Sequence, residues 1–173
     1  FLMHFRFIHY KIPLFRMLNK LYDITYILTG QKKEEIERLY DLKDLKYMCT
    51  KFWVLKNRYW IPIGLIPKLL FGKYDILIAI DQHTPEAHLG FLISKLRGKK
   101  FIMWSDTWEW PRRPASILLE PIVRMVSKYS DACLAVGSKQ KEYFIKKGAN
   151  PNKIFITPYT TLSYKTKKKL NLK

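Results

Sequence analysis

Side chains that can bind or position a ligand are concentrated in two short segments of this 173-residue chain. The loop after Lys100–Trp104 carries two carboxylates, Asp106 and Glu109, interleaved with tryptophans. The segment after Tyr74–Ile80 is polar and contains His83. Both preceding runs are short and apolar, which is typical of strands covered on both faces of a parallel sheet. Because open α/β sheets bind ligands at the carboxyl ends of their strands, these side chains are predicted to line a ligand site.

One βαβ unit, residues 74–110, positions the two segments. Asp81 ends its first strand, and Thr84 is predicted to cap a helix whose first position takes Pro85. Gly98 ends that helix, and the second strand follows at once. The predicted inward face of the helix consists of Leu89, Leu92, Ile93 and Leu96.

The rest of the chain alternates strands with helices. Strands are predicted at 1–8, 23–28, 46–55, 131–136 and 153–157, and helices at 13–22, 31–42, 115–129 and 138–148. Helical connections between successive strands require right-handed crossovers in a parallel sheet. The predicted fold class is therefore α/β, a doubly wound, mostly parallel Rossmann-like sheet with helices on both faces.

Two helical segments leave alternatives open. Residues 56–73 mix cations with aromatic and aliphatic side chains. Most such segments are core, which favours a helix packed on the sheet; the alternative is an amphipathic segment at a membrane surface. In the helix at 115–129, Pro121 either introduces a kink or marks the start. Its predicted inward face consists of Leu118, Ile122, Met125, Val126 and Tyr129.

The charge of the chain is strongly positive. It contains 32 Lys and Arg against 14 Asp and Glu, giving a formal charge of +18. Such a charge favours an anionic partner, for which nucleic acid, anionic lipid and a phosphorylated small molecule are the three candidates. A hydrophobic content of 48% nevertheless predicts a folded domain with its own core.

Compartment and cofactor signals are sparse. Cys49 and Cys133 both lie in predicted strands, which disfavours a disulfide framework and favours a reducing compartment. The longest apolar stretch, 60–71, is too short and too interrupted to span a bilayer. The chain starts at Phe1 without an initiator methionine, so part of the natural amino terminus is expected to be missing. Dinucleotide, P-loop and metal-ligand motifs are absent, and no cofactor or metal is predicted.

The block 127–159, SKYSDACLAVGSKQKEYFIKKGANPNKIFITPY, has a specific order of elements. The order comprises Ser130-Asp131 after a helix, Ser138 at the end of a strand, Gly148 at the end of a helix, an Asn-Pro-x-Lys turn at 150–153, and Pro158 after the last strand. It resembles the end of the amino-terminal domain of glycosyltransferase family 4, retaining enzymes of GT-B architecture. Residues 12–30 and 72–80 resemble that family's first helix with its second strand and its central strand.

The chain departs from the family pattern at several points. Residues 9–11 stand where the family has a Gly-rich or Pro-rich loop, and residues 159–161 stand where it has Asn-Gly. Asp106 follows a strand after which many members have a histidine. The second Rossmann-like domain, which carries most of the nucleotide-sugar site in the family, is expected to be absent. One Rossmann-like domain at 1–162, followed by a lysine-rich tail or interdomain linker at 163–173, is therefore expected.

The resemblance implies the acceptor-binding half of a retaining hexosyltransferase, which moves a sugar from a nucleotide sugar to a glycan or lipid-linked acceptor in polysaccharide biosynthesis. Asp106 is the implied catalytic residue, either orienting the acceptor or acting as a base. The implied acceptor-binding residues are His83, Glu109, Trp108 and Arg112. The implied contacts to phosphate or donor are Arg6, His9, Lys11 and Ser138.

Several of these residues also have a structural interpretation. Asp106 and Glu109 can be ordinary loop acids paired with Arg112 and its neighbour. A lone histidine such as His83 is more often structural than ligating, and His88, inside the helix, is expected to be solvated. Ser138 is first of all a predicted helix cap.

The implied partners are a nucleotide-sugar donor held by a second domain, a glycan or lipid-linked acceptor, and an anionic membrane surface. The implied location is cytoplasmic, at the inner face of the membrane, and the chain is expected to be inactive alone. A non-catalytic, membrane-recruiting subunit of a split glycosyltransferase is the first alternative. A nucleic-acid-binding domain is the second, but it rests on charge alone because the cations are dispersed and no reading motif is present.

Overall fold

A computed structural model describes residues 2–4, 11–30, 32–51, 53–55, 59–109 and 114–158. The strands are β1 (Leu2–His4), β2 (Thr25–Thr29), β3 (Lys46–Thr50), β4 (Trp53–Leu55), β5 (Tyr59–Ile61), β6 (Ile76–Ile80), β7 (Lys100–Ser105), β8 (Ala132–Ala135) and β9 (Ile154–Ile156). The helices are α1 (Ile12–Leu21), α2 (Lys33–Leu39), α3 (Leu65–Phe71), α4 (Pro85–Leu96), α5 (Pro114–Tyr129) and α6 (Ser138–Lys146).

Seven of these strands form one parallel sheet with the order β3-β2-β1-β6-β7-β8-β9. The chain moves outward from β1 to β3, returns to place β6 beside β1, and then moves outward to β9 in the opposite direction. This is the predicted doubly wound α/β fold. The strand order reverses between β1 and β6, so the carboxyl ends of these two strands form the topological switch point at which such sheets bind ligands.

A separate hydrophobic core covers each face of the sheet, because successive side chains of a strand point to opposite faces. In β2, Ile27 belongs to one core, and Tyr26 and Leu28 belong to the other. The Ile27 core joins the sheet to α3, α4, α5 and α6 through Leu65, Leu69, Phe91, Val126 and Phe144. The Tyr26 core joins the sheet to α1 and α2 through Ile12, Phe15 and Ile36.

Residues 46–73 differ from the sequence prediction. The single strand predicted at 46–55 is two strands, β3 in the main sheet and β4, which pairs antiparallel with β5 in a separate hairpin. A continuous run of aromatic and β-branched residues does not show where a chain leaves a sheet. A helix that packs on the sheet is confirmed, since Leu65 and Leu69 are fully buried, but it is limited to α3.

The inward faces of α4 and α5 were predicted only in part: Ile93 and Val126 are buried, and Leu89 and Ile122 pack against the core. In α4, Leu92 and Leu96 are exposed. The buried residues of α4 are Glu86, Ala87, Gly90, Phe91, Ile93 and Ser94. In α5, Leu118 and Tyr129 are exposed, as is Met125, while Val123, Val126 and Ser127 are buried. Both helices carry more than one apolar stripe, and the neighbouring helices and strands decide which stripe is covered.

The predicted helix ends are partly confirmed. The Thr84 hydroxyl caps α4 by accepting a hydrogen bond from the Ala87 amide at 3.3 Å. Gly98 and Gly148 follow α4 and α6 with φ of 65° and 94°, which glycine adopts without steric cost. Ser138 is not a cap: it is the first residue of α6, whose N-cap is Gly137. In α5, Pro121 lies inside a continuous helix and does not start it.

Cys49 and Cys133 lie in β3 and β8 as free thiols. In the part of the chain that the structure describes, no helix is long and apolar enough to cross a membrane. The lysine-rich tail at 163–173 lies outside the described residues.

Candidate functional site

The turn after β6 is a compact hydrogen-bonded loop built on Asp81. The φ of Asp81 is 68°, in the left-handed region that aspartate enters more readily than most residues. Its carboxylate accepts a hydrogen bond from the His83 amide at 3.0 Å, and its carbonyl accepts one from the Thr84 hydroxyl at 2.9 Å. Its amide donates to the Trp104 carbonyl at 2.9 Å, which joins the turn to the end of β7. Sequence reasoning identified Asp81 only as the end of a strand.

His83 projects from this turn toward α6. Its Nε2 atom lies 3.2 Å from the Tyr143 hydroxyl and 3.3 Å from the Gln82 side-chain nitrogen. Both neighbours are polar groups that can hydrogen-bond to this ring nitrogen. Burial, the positive charge of Lys147 and the neighbouring His88 lower the pKa of His83 to about 4. His83 is therefore a neutral hydrogen-bonding group at neutral pH.

The first turn of α4 adds a buried carboxyl group, Glu86, that the sequence interpretation missed, and a half-buried imidazole, His88. Glu86 is buried, its Oε1 atom has no hydrogen-bond partner among the described residues, and burial raises its pKa. His88 is half-buried and not solvated as expected. Its Nε2 atom donates to the Gln82 carbonyl at 2.8 Å, and burial lowers its pKa. The only sequence signal for these groups was their polarity within a largely apolar helix.

Lys11 and Asp106 bring the loops after β1 and β7 into one electrostatic environment. Lys11 is buried, and its ammonium group lies 5.3 Å from the centre of the Trp104 ring. Burial lowers the pKa of Lys11, while the negative charge of Asp106 opposes that change. Trp104 is buried, as its place in a strand predicted. A desolvated cation at the switch point is suited to binding an anionic group of a ligand.

The loop after β7 also reaches α6. Trp108 is half-exposed, and the Lys139 ammonium group lies 4.8 Å from the centre of its ring. Ser138, the residue before Lys139, is exposed at the amino terminus of α6. The Gln82 side chain donates to the Thr107 carbonyl at 3.4 Å, which connects this loop to the turn after β6. Glu109 is exposed at its far end.

A salt bridge supports the α6 side of the site. The Lys147 ammonium group lies 2.7 and 2.8 Å from the two Glu120 carboxylate oxygens and 4.9 Å from the centre of the Tyr143 ring. Tyr143 is in turn held against His83 in an edge-on ring contact at 5.9 Å. Side chains from α5 and α6 thus fix the orientation of the His83 ring.

The structure brings together four of the predicted site residues and their neighbours. His83, Asp106, Lys11 and Trp108 all lie on loops at the carboxyl edge of the sheet. Three others, Arg6, His9 and Arg112, lie outside the described residues. The roles assigned to all of these residues stay predictions. Within the described residues no group of three or more His, Cys, Asp or Glu side chains could hold a metal ion.

The sheet order and the polar switch-point edge define one Rossmann-like half of a GT-B fold. Among solved structures, the chain is similar to HepE from Anabaena in complex with UDP, with a TM-score of 0.65 and 12% identity over 91% of this chain and 43% of HepE. It is also similar to UDP-N-acetylglucosamine 2-epimerase from Rickettsia bellii, with a TM-score of 0.62 and 15% identity over 91% of this chain and 44% of the epimerase.

At these identities the similarity establishes the fold alone. The chain spans less than half the length of the solved structures that it matches. No protein-family model and no curated protein matches the sequence.

Proposed function

We propose that this chain is the acceptor-binding, amino-terminal half of a retaining glycosyltransferase of family 4. The enzyme would move a sugar from a nucleotide sugar to a glycan or lipid-linked acceptor. The observation that carries the proposal is the buried cation Lys11 at the switch point of a GT-B half, where the negative charge of Asp106 opposes the lowering of its pKa by burial. HepE, which shares this fold, was solved with UDP and with UDP-glucose, and supports a uridine nucleotide in the donor.

The proposed chemistry uses groups of opposite charge. During glycosyl transfer the acceptor hydroxyl loses a proton and the nucleoside diphosphate departs as an anion. Asp106, on an exposed loop, accepts the hydrogen of the acceptor hydroxyl and orients it. Lys11 faces the departing diphosphate, where its charge is effective because it is shielded from water. Trp108 offers an aromatic face on which a sugar ring can stack.

A second candidate is one half of a nucleotide-sugar epimerase. It is favoured by the two carboxyl groups, Asp81 and Glu86, whose pKa values are raised by burial beside the site. Carboxyl groups of raised pKa suit the removal and return of a proton on a sugar carbon. The similarity in fold to 2-epimerases supports this candidate as well.

The full-length protein that contains this chain distinguishes the two reactions. Incubation with UDP-glucose or UDP-N-acetylglucosamine, with and without polyprenyl-linked or glycan acceptors, should give acceptor-dependent release of UDP. Asp106→Asn should lower the transfer rate by about 10²-fold or more. The matched control is Asp75→Asn, an exposed acid just before β6, at the opposite edge of the sheet. Equal rates for both variants, or an epimerised sugar nucleotide without acceptor, would contradict the proposal.

The isolated chain should transfer no sugar, because most of the donor site is assigned to a second domain. Sugar transfer by the 173 residues alone would refute that assignment. A non-catalytic subunit of a split enzyme would instead restore activity when it is mixed with a separately encoded donor-binding chain. Tight, salt-sensitive retention of DNA or RNA in a filter-binding assay would favour the nucleic-acid alternative.

A further inference from the structure

Residues 45–74 form a long acid-free segment in a chain that otherwise contains 14 acids. The segment has no Asp or Glu, six Lys or Arg, and seven aromatic residues. In the structure it comprises β3, the hairpin of β4 and β5, and α3. Its charge is therefore not balanced by acids within the segment.

Helix α3 is apolar on two faces. Leu65 and Leu69 are fully buried against the sheet. On its other side, Ile63, Leu70 and Phe71 are exposed, Phe71 by 82%. Pro67 is exposed as well, and the four exposed residues stand at positions 63, 67, 70 and 71. This is the spacing of residues on one side of a helix. Burial in the sheet explains the first face but not the second.

The β4–β5 hairpin extends this outward stripe. The Gly64 amide donates to the Lys51 carbonyl at 3.0 Å, so the start of α3 lies against the connection between β3 and the hairpin. Trp53, two residues after Lys51, is 62% exposed and pairs with Ile61 in the hairpin. Ile63, also exposed, follows two residues after Ile61, the hairpin partner of Trp53.

These residues define an apolar–basic surface, which consists of Trp53, Ile63, Leu70 and Phe71 together with Lys51, Lys68 and Lys73. All three lysines are exposed. Aromatic and aliphatic side chains beside cations suit the boundary between lipid headgroups and acyl chains, where the apolar parts are buried and the ammonium groups meet lipid phosphates.

We propose that the apolar–basic surface docks this protein on an anionic membrane. A second copy of the chain is a poor occupant, because two surfaces of a molecule carrying +18 repel each other. The hairpin leaves the sheet at the carboxyl end of β3, the same edge that carries the candidate site. The surface then runs along α3 to Lys73, just before β6 and at the opposite edge of the sheet. The inference does not depend on the proposed reaction.

Vesicle co-sedimentation of the 173-residue chain, without any nucleotide sugar, tests the apolar part of the surface. Vesicles of phosphatidylcholine with phosphatidylglycerol should bind the chain, and vesicles of phosphatidylcholine alone should bind it much less. The double variant Leu70→Ser/Phe71→Ser should bind at least about tenfold more weakly than the wild type. The matched control is Met17→Ser/Leu21→Ser, which removes side chains exposed by 61% and 72% on α1, on the opposite face of the sheet. The control should change binding less than twofold.

A charge pair tests the basic part. Lys68→Gln/Lys73→Gln should weaken binding about fivefold for each lysine, which corresponds to about 1 kcal/mol per cation. Lys20→Gln/Lys43→Gln, on the α1 and α2 side, is the control. All changed side chains are exposed, and thermal melting followed by circular dichroism verifies that each variant is folded.

Three outcomes would overturn the inference. The first is equal binding by a surface variant and its control, and the second is binding that does not require phosphatidylglycerol. The third is self-association of the wild-type chain that Leu70→Ser/Phe71→Ser abolishes without any loss of vesicle binding, which would assign the surface to a second copy. A failure of sugar transfer by the full-length protein would leave all of these vesicle results unaffected.

Discussion

The half-buried, neutral His83 predicts a loss of stability in mild acid. Its pKa is lowered from 6.5 to about 4, first by burial and then by Lys147 and His88. Between these two values the unfolded chain binds a proton that the folded chain does not, so stability falls as the pH decreases through this window. The full effect is about 3 kcal/mol below pH 4, and about 2 kcal/mol is lost by pH 5.

Urea unfolding at pH 7 and pH 5 measures this loss. The variant His83→Gln has no titrating ring, so its free energy of unfolding should differ between the two pH values by about 2 kcal/mol less than that of the wild type. His88 contributes a further loss of the same sign, because its pKa is also lowered by burial, and this part remains in the variant.

Tyr143→Phe separates burial from hydrogen bonding. The hydroxyl lies 3.2 Å from His83 Nε2, but burial is the leading cause of the low pKa. The phenylalanine variant should therefore keep the pH dependence of the wild type. An NMR titration of the ring protons gives the pKa of His83 directly. A value near 6.5, or equal pH dependence in wild type and His83→Gln, would refute the reasoning.

Two further perturbations test how the sheet is held together. The Asp131 carboxylate accepts hydrogen bonds from Lys95, Lys100 and the Phe101 amide. These bonds outweigh the effect of burial and lower the pKa of Asp131 to about 2. Asp131→Asn should therefore lower the free energy of unfolding in urea by about 2 kcal/mol at pH 7. That contribution is present above pH 4 and should disappear as the pH falls toward 2. A Cβ at Gly64 would meet a backbone nitrogen at 2.7 Å, so Gly64→Ala should lower stability by about 1–3 kcal/mol. Gly137 has open space around it, and Gly137→Ala should be nearly neutral. Equal melting temperatures of the two variants would contradict this prediction.

The strand and helix alternation was readable from the sequence because it depends on local patterns. Thr84 followed by Pro85 predicted the start of α4, and Gly98 its end, since capping and φ preferences involve only neighbouring residues. The same local patterns predicted a parallel sheet, because a helix between each pair of strands allows little else. The position of Asp106 and His83 at the carboxyl ends of strands followed directly from that fold.

The helix faces were not readable in this way. The exposed Leu96 and the buried Ser94 of α4 reverse the order that hydrophobicity alone would give. Their burial depends on how closely α4 approaches the sheet and α3, and that distance is a property of the packed structure. For the same reason the apolar and cationic content of residues 56–73 left open whether α3 would keep a second apolar face exposed.

The amino-acid sequence by itself determined the fold class and the edge of the sheet at which a ligand would bind. Only the tertiary structure decided which groups at that edge interact and in which protonation state. Lys11 and Asp106 are far apart in the chain, and their coupling exists only because β1 and β7 flank β6. The pKa values of His83 and Glu86 are shifted first of all by burial, which the packed structure creates. Burial and Coulomb interactions depend on distances in space, which local sequence patterns do not encode.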